Sequence, residues 1–115
     1  MTVTVYGIPN CDTVKKARVW LDAEGIEYLF HDYKKAGADA DRLNTWCNAL
    51  GWDRVLNRAG TTFRKLPDPE KEGLDQSRAV ALMVRQPSCI KRPIVEYPGG
   101  VLAGFRADEW AALRA

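Results

Sequence analysis

Cys11 is the residue of this chain best placed to do chemistry. It follows Val3-Thr4-Val5-Tyr6, a run rich in β-branched and aromatic types, and then the turn Gly7-Ile8-Pro9-Asn10. Beyond it the pattern takes a helical period: Val14, Ala17 and Trp20 or Leu21 recur at three and four, with Lys15, Lys16, Asp22 and Glu24 opposite. A thiol delivered to a helix N-terminus meets unpaired backbone N–H groups and the positive end of the helix dipole, and both favour a thiolate. Lys15 adds a nearby cation, and Asn10 and Thr13 are the flanking side chains expected to support the thiolate. Free cysteine is usually a small buried hydrophobe, but a polar loop at a helix start does not suit that role. Val14 stands where the second cysteine of a C-x-x-C pair would be. Exchange at Cys11 would therefore pass through a mixed disulfide resolved by an external thiol.

The other two cysteines read differently. Cys47 lies on an apolar stripe with Leu43, Trp46 and Leu50 and belongs to the core; Cys89, three residues before Arg92, is also expected to be core. Three cysteines without a C-x-x-C make no disulfide framework, and the single His31 cannot complete a familiar zinc set, so no metal is expected. The 115 residues suggest one domain, 1–115, with an ordinary 46% hydrophobic and 28% charged content. A net charge of +2, with 17 Lys and Arg spread along the chain, argues against a nucleic-acid partner. No apolar run is long enough to span a membrane and the N-terminus lacks a signal-peptide pattern, so a cytoplasmic monomer is expected.

Several elements must hold Cys11 in place. Residues 2–6 read as a strand, and the helix after Cys11 is closed by Gly25. Ile26 to Tyr33 then reads as a second strand, giving a β-α-β unit with parallel strands and a right-handed crossover. Lys34 to Ala40 reads as a polar loop. The Leu43, Trp46, Cys47, Leu50 stripe marks a second helix ended by Gly51. Residues 52–74 read as irregular, with a helical turn at Trp52 to Leu56 and breaks at Pro67 and Pro69. A third helix is expected from about Asp75 to Gln86, with Val80, Met83 and Val84 inward. Ile94 to Tyr97 and Val101 to Ala103, joined by Pro98-Gly99-Gly100, read as a hairpin. Ala107 to Arg114 closes as a short helix with Trp110 and Leu113 inward. The order is β-α-β, a helical insert over about 39–87, then β-β-α. That predicts the α/β class: a thioredoxin/glutaredoxin-like three-layer fold with a four-stranded mixed sheet.

Four blocks in register carry a likeness to a known family. They are Tyr6-Gly7-Ile8-Pro9-Asn10-Cys11-Asp12-Thr13-Val14-Lys15-Lys16-Ala17, Phe30-His31-Asp32-Tyr33, Asn57-Arg58-Ala59-Gly60-Thr61-Thr62-Phe63-Arg64-Lys65-Leu66 and Ile90-Lys91-Arg92-Pro93-Ile94-Val95. The chain resembles the arsenate reductase/Spx (ArsC-like) family of the thioredoxin fold, above all its YffB-type subgroup of small cytoplasmic proteins. The resemblance implies a thiol reductase working with glutathione, and with a glutaredoxin as a further partner, on a small anionic or thiol substrate. Cys11 matches the family's nucleophile, while Arg92 and Arg106 match arginines that hold an oxyanion. The third arginine's column falls on Asn57, so Arg58 or Arg64 would substitute for it. Pro93 is implied to follow a cis peptide bond and to lie against the nucleophile, which would bring Cys89 within a few residues of Cys11. A resolving role for Cys89 is the minor reading.

The sequence departs from the family's arsenate pattern in a second place. Its Cys-Gly-Thr-Ser-Arg loop is Cys-Asp-Thr-Val-Lys here, and a carboxylate beside the nucleophile repels an oxyanion. His31 is expected to make an ordered contact to Asp32 or to backbone rather than to act as a base. The expected function is a glutathione-dependent monothiol reductase: Cys11 as nucleophile, Arg58, Arg64, Arg92, Pro93 and Arg106 as the substrate and glutathione site, no bound cofactor. The alternatives are an arsenate reductase proper and a non-enzymatic, Spx-like regulator that binds RNA polymerase. Val14 denies the latter its C-x-x-C switch.

Overall fold

A computed structural model describes residues 2–114. In chain order the elements are β1 (Thr4–Gly7), α1 (Asp12–Ala23), β2 (Leu29–Asp32), α2 (Tyr33–Ala36), α3 (Ala40–Leu50), α4 (Trp52–Val55) and α5 (Thr61–Arg64). There follow α6 (Asp68–Lys71), α7 (Gln76–Arg85), β3 (Ile94–Tyr97), β4 (Gly100–Ala103) and α8 (Ala107–Trp110), with 3-10 turns at Pro87–Cys89 and Ala111–Arg114. They form two compact units: the chain up to Ala36 together with the chain from Arg92 onward, and the stretch Gly37–Lys91.

The first unit is built on a four-stranded sheet of order β2-β1-β3-β4. β1 runs parallel to β2, Val5 opposite Phe30, and antiparallel to β3, Val5 opposite Val95. β3 and β4 form the hairpin, Ile94 opposite Ala103. This is the mixed sheet expected of a thioredoxin-like α/β chain. Strand alternation sends Val3, Val5 and Val95 to one face, where Ala17 and Leu21 of α1 and the C-terminal Trp110 and Leu113 cover them. Trp110 is fully enclosed and its indole N–H donates to the Gly104 carbonyl at 3.0 Å, so burial of this large ring leaves no orphan donor.

β2 is shorter than the Ile26–Tyr33 strand read from sequence, and both ends have local causes. At the start, Gly25 takes φ 68° and the Ile26 N–H donates to the Leu21 carbonyl at 3.0 Å, tying the chain to the end of α1. At the finish, an Asp32 carboxylate oxygen accepts the N–H groups of Lys34 and Lys35 at 3.1 and 3.3 Å. That local cap turns Tyr33–Ala36 into the helical turn α2 instead of the expected loop.

The second unit packs α3 with α7. Asp39 caps α3 by accepting from the Asp41 N–H at 3.2 Å, and Asp75 caps α7 by accepting from the Arg78 N–H at 2.9 Å. Gln76 donates to the side-chain oxygens of Asn44 and Asn48 at 3.1 and 3.0 Å, joining the two helices outside their apolar faces. Leu82, not Val84, completes the buried side of α7, and Val84 is exposed. The stretch read as irregular holds three one-turn helices, α4, α5 and α6, each closed by its own backbone bond: Leu56 to Trp52, Lys65 to Thr61 and Glu72 to Asp68. The first is the turn expected at Trp52; single turns as short as α5 and α6 show no apolar period, so sequence pattern alone misses those two. Among the described residues, no helix is long and apolar enough to cross a membrane.

Candidate functional site

The loop that carries Cys11 is pinned from below. Gly7 ends β1 so close to α1 that a Cβ on it would meet Val14 Cγ2 at 2.9 Å. Cys11 donates its N–H to the Ile8 carbonyl at 3.2 Å, and its own carbonyl accepts from Lys15 N–H at 3.0 Å. It is thus the N-cap of α1, at φ −87° and ψ 127°, yet its side chain makes no capping hydrogen bond. The thiol is half-buried and is not consumed in closing the helix. Asn10, Asp12, Thr13 and Lys15 around it are exposed, and Asp12 lies in the first turn, where an acid suits the dipole. Val14 is fully buried, so the position of a vicinal second cysteine is part of the core.

Tyr33 is the residue the sequence reading did not single out. It is 1% exposed at the head of α2, and its hydroxyl is hydrogen-bonded by the Arg92 side chain. Burial pushes its phenol well above the ordinary range. The Arg92 charge and hydrogen bond pull the other way, while negative charge on Cys11 and on Asp32 pushes it up again. Burial prevails, and Tyr33 stays a neutral phenol. The Asp32 cap that turns the chain after β2 was the available signal for this placement.

The remaining predicted residues fall as follows. Arg92 is half-buried and Pro93 buried; the Arg92–Pro93 peptide is cis, and the Pro93 carbonyl accepts from Gly104 N–H at 2.8 Å. Arg106 caps the start of α8 and lies 3.8 Å from Glu109, with its side chain 72% exposed. Arg58 and Arg64 belong to the second unit. The Arg58 guanidinium sits 5.6 Å from the centre of the Trp52 ring, and the Arg64 carbonyl accepts from Lys71 Nζ. Asn57, in the column of the absent arginine, accepts from the Ala59 N–H at 3.2 Å and shapes its own turn. Arg92 thus bonds to Tyr33, while Arg58 and Arg106 find neighbours within their own segments.

His31 lies inside β2 in register with Tyr6, its ring 5.0 Å from that of Tyr6, whose hydroxyl donates to Glu96 at 2.8 Å. Cys47 and Cys89 are 3% and 1% exposed, and burial pushes the Cys47 thiol up, away from thiolate chemistry. Among the described residues no group of three or more His, Cys, Asp or Glu is gathered to hold a metal.

A mixed four-stranded sheet with one accessible cysteine at a helix start defines a thioredoxin-like thiol protein. Comparison narrows the class: the ArsC family model matches residues 6–113, and the chain belongs to that family. A solved structure of a YffB protein is 53% identical, with a TM-score of 0.95 over 98% of this chain and 99% of that one. An arsenate reductase (ArsC) related protein of Brucella melitensis is 51% identical, with a TM-score of 0.77 over 97% and 93%. The global transcriptional regulator Spx of Streptococcus pyogenes is 28% identical over 109 residues, 93% of this chain and 81% of its own length.

Proposed function

We propose that this chain is a glutathione-dependent monothiol reductase with Cys11 as its nucleophile. Its ArsC-family membership carries the coarser part, a thiol-dependent oxidoreductase; the single-thiol cycle and the reductant are the proposal. One observation supports it above the others: Cys11 caps α1 without spending its side chain on the cap, while Val14 is buried where a vicinal partner thiol would be. The Cys11 thiolate attacks one sulfur of a substrate disulfide; the S–S bond breaks, the substrate's other thiol leaves as thiolate and takes up a proton, and Cys11 is left in a mixed disulfide. When the bound half is glutathione, the thiolate of a second glutathione attacks its sulfur. Oxidised glutathione leaves and the Cys11 thiolate returns. One glutathione thiol is oxidised as the substrate's departing sulfur is reduced, and the disulfide passes from the substrate to oxidised glutathione.

Arg92 offers a planar fork suited to a carboxylate of glutathione or to another anionic end of the substrate, with Arg106 of the same unit as a further cation. The three cysteines form no disulfide, which fits a reducing compartment, and we place the protein in the cytoplasm as a monomer. The test is a Cys11→Ser variant in a glutathione-coupled disulfide reduction assay. Loss of turnover with an unchanged fold is the expected result; undiminished turnover would end the assignment.

A further inference from the structure

At the end of the sheet away from Cys11, and wholly within the first unit, lies a cleft of about 900 Å³, a size usual for small-ligand sites. Thr2 and Val3, which lead into β1, line it together with the second half of α1 and the chain from Gly25 into β2. β1 and β2 run parallel, so both strands begin at this cleft, whereas Cys11 follows the end of β1. Arg18 stands about two turns, on the order of 10 Å, along α1 from Cys11. The base of the cleft is apolar: Ile26 and Phe30 are half-buried against the core of the unit, and Leu29 is 62% exposed on the edge strand β2. Its wall is charged. The Arg18 guanidinium lies 4.4 Å from the centre of the Phe30 ring and 5.8 Å from that of Tyr28, and its Nε donates to the Tyr28 hydroxyl at 3.0 Å. These contacts hold the fork, yet among the described residues no carboxylate pairs with it. Asp22, one turn further along α1, and Glu27 line the same cleft; both are exposed, and neither is paired with a cation among the described residues.

A guanidinium held by two rings and one hydroxyl, with its terminal N–H groups still open, suits a carboxylate. The Tyr28 hydroxyl accepts from Arg18 and keeps its own hydrogen to donate to the same ligand group. The two acids beside it repel a dianion such as a phosphate monoester and attract an ammonium group. Opposite charges that leave each other unpaired, set beside an apolar floor, complement a molecule with both charges on one carbon and a hydrocarbon side chain. We propose that this cleft binds an apolar α-amino acid of the leucine type: its carboxylate on Arg18 and Tyr28, its ammonium toward Asp22 and Glu27, its side chain over Ile26 and Leu29. The site is separate from the thiol and does not depend on what Cys11 reduces.

The test is an NMR titration of the full chain with L-leucine, L-leucinamide, N-acetyl-L-leucine and glycine, at fixed salt and slightly below neutral pH, where the amines are charged. Leucine should give saturable shifts at the Arg18 Nε–H and at the amides of Ile26 to Phe30, and leave the amides around Cys11 where they were. Leucinamide lacks the carboxylate and should bind about tenfold more weakly, in line with a lost hydrogen bond to a charged group. N-acetyl-leucine lacks the ammonium and should bind about threefold more weakly, since exposed ion pairs are worth less. Glycine has both charges but no side chain and should bind about fivefold more weakly. Arg18→Met should bring leucine down to the level of leucinamide, and Asp22→Asn with Glu27→Gln should bring it down to that of N-acetyl-leucine. The absence of saturable shifts, shifts centred on Cys11, or binding of any of the other three ligands as tightly as leucine would overturn the proposal. Equal binding of N-acetyl-leucine in particular would make the cleft a site for a plain acid or a peptide C-terminus. The ligand comparison needs no variant, so it decides even if Arg18→Met does not fold. The glutathione assay reads a different end of the sheet, so the two readings fail separately.

Discussion

Cys11 at the head of α1 and Asp39 at the head of α3 both hold φ −87° and ψ 127°. The same backbone turn starts both helices, and the side chain decides what the turn is for. Asp39 accepts from the Asp41 N–H at 3.2 Å and so satisfies one of the donors that every helix start leaves open. Asp75 does the same for α7. Cys11 makes no such bond. A sulfur cap in this position gives up part of a helix's stability and leaves a half-exposed thiol in the field of the first turn. Asp39 spends its side chain on the cap and Cys11 does not.

That contrast can be broken or sharpened in several ways. The largest effect is expected from Cys11→Asp, which gives α1 the cap chemistry of α3: thiol-dependent turnover should vanish while urea unfolding shows a gain of about 0.5–2 kcal/mol. A variant that kept turnover, or lost stability, would mean that Cys11 is not the chemical and structural opposite of Asp39. Gly7→Ala comes next. Its new methyl would stand 2.9 Å from Val14, and overpacking of this kind costs roughly 1–3 kcal/mol. Because Gly7 leads into the Cys11 loop, equilibrium unfolding and the iodoacetamide rate should both change; a change in neither would show the loop to be set by something else.

Asp39→Ala should cost about 0.5–2 kcal/mol and leave the alkylation rate of Cys11 as it was. Calorimetry together with iodoacetamide kinetics checks both halves. The smallest effect concerns pH. Burial raises the Cys47 thiol in the fold, so above its unfolded value of about 8.5 the unfolded chain releases that proton first. Its contribution to stability is complete below that pH and is lost as pH rises toward the folded value. Cys47→Ala should therefore make the decline of stability above about pH 8.5 shallower than in the parent chain. A parallel decline would mean that Cys47 is not held as a neutral thiol.

Much of this was legible from residue order. The change of period at Cys11, the start near Asp75, the Gly25 and Gly51 stops and the Pro98-Gly99 turn are local signals, and the elements stand where those signals put them. The turn at Trp52 was legible, but the short helices Thr61–Arg64 and Asp68–Lys71 were not, because single turns present no repeating apolar face. The end of β2 was lost for a related reason. Tyr33 continues an aromatic, strand-like run by type, and only the Asp32 carboxylate, bonding two N–H groups ahead of it, turns the chain there. At the site, Cys11 announced itself through its neighbours in sequence. Tyr33 could not, since its defining partner, Arg92, comes from the far end of the chain.

The most direct test of the difference between Cys11 and the buried thiols is mass spectrometry of the chain after exposure to oxidised glutathione. The account predicts one glutathione adduct per molecule, located on Cys11, released by added glutathione, with Cys47 and Cys89 unmodified and no internal disulfide. An adduct on Cys47 or Cys89, an internal disulfide involving Cys11, or no adduct at all would contradict it.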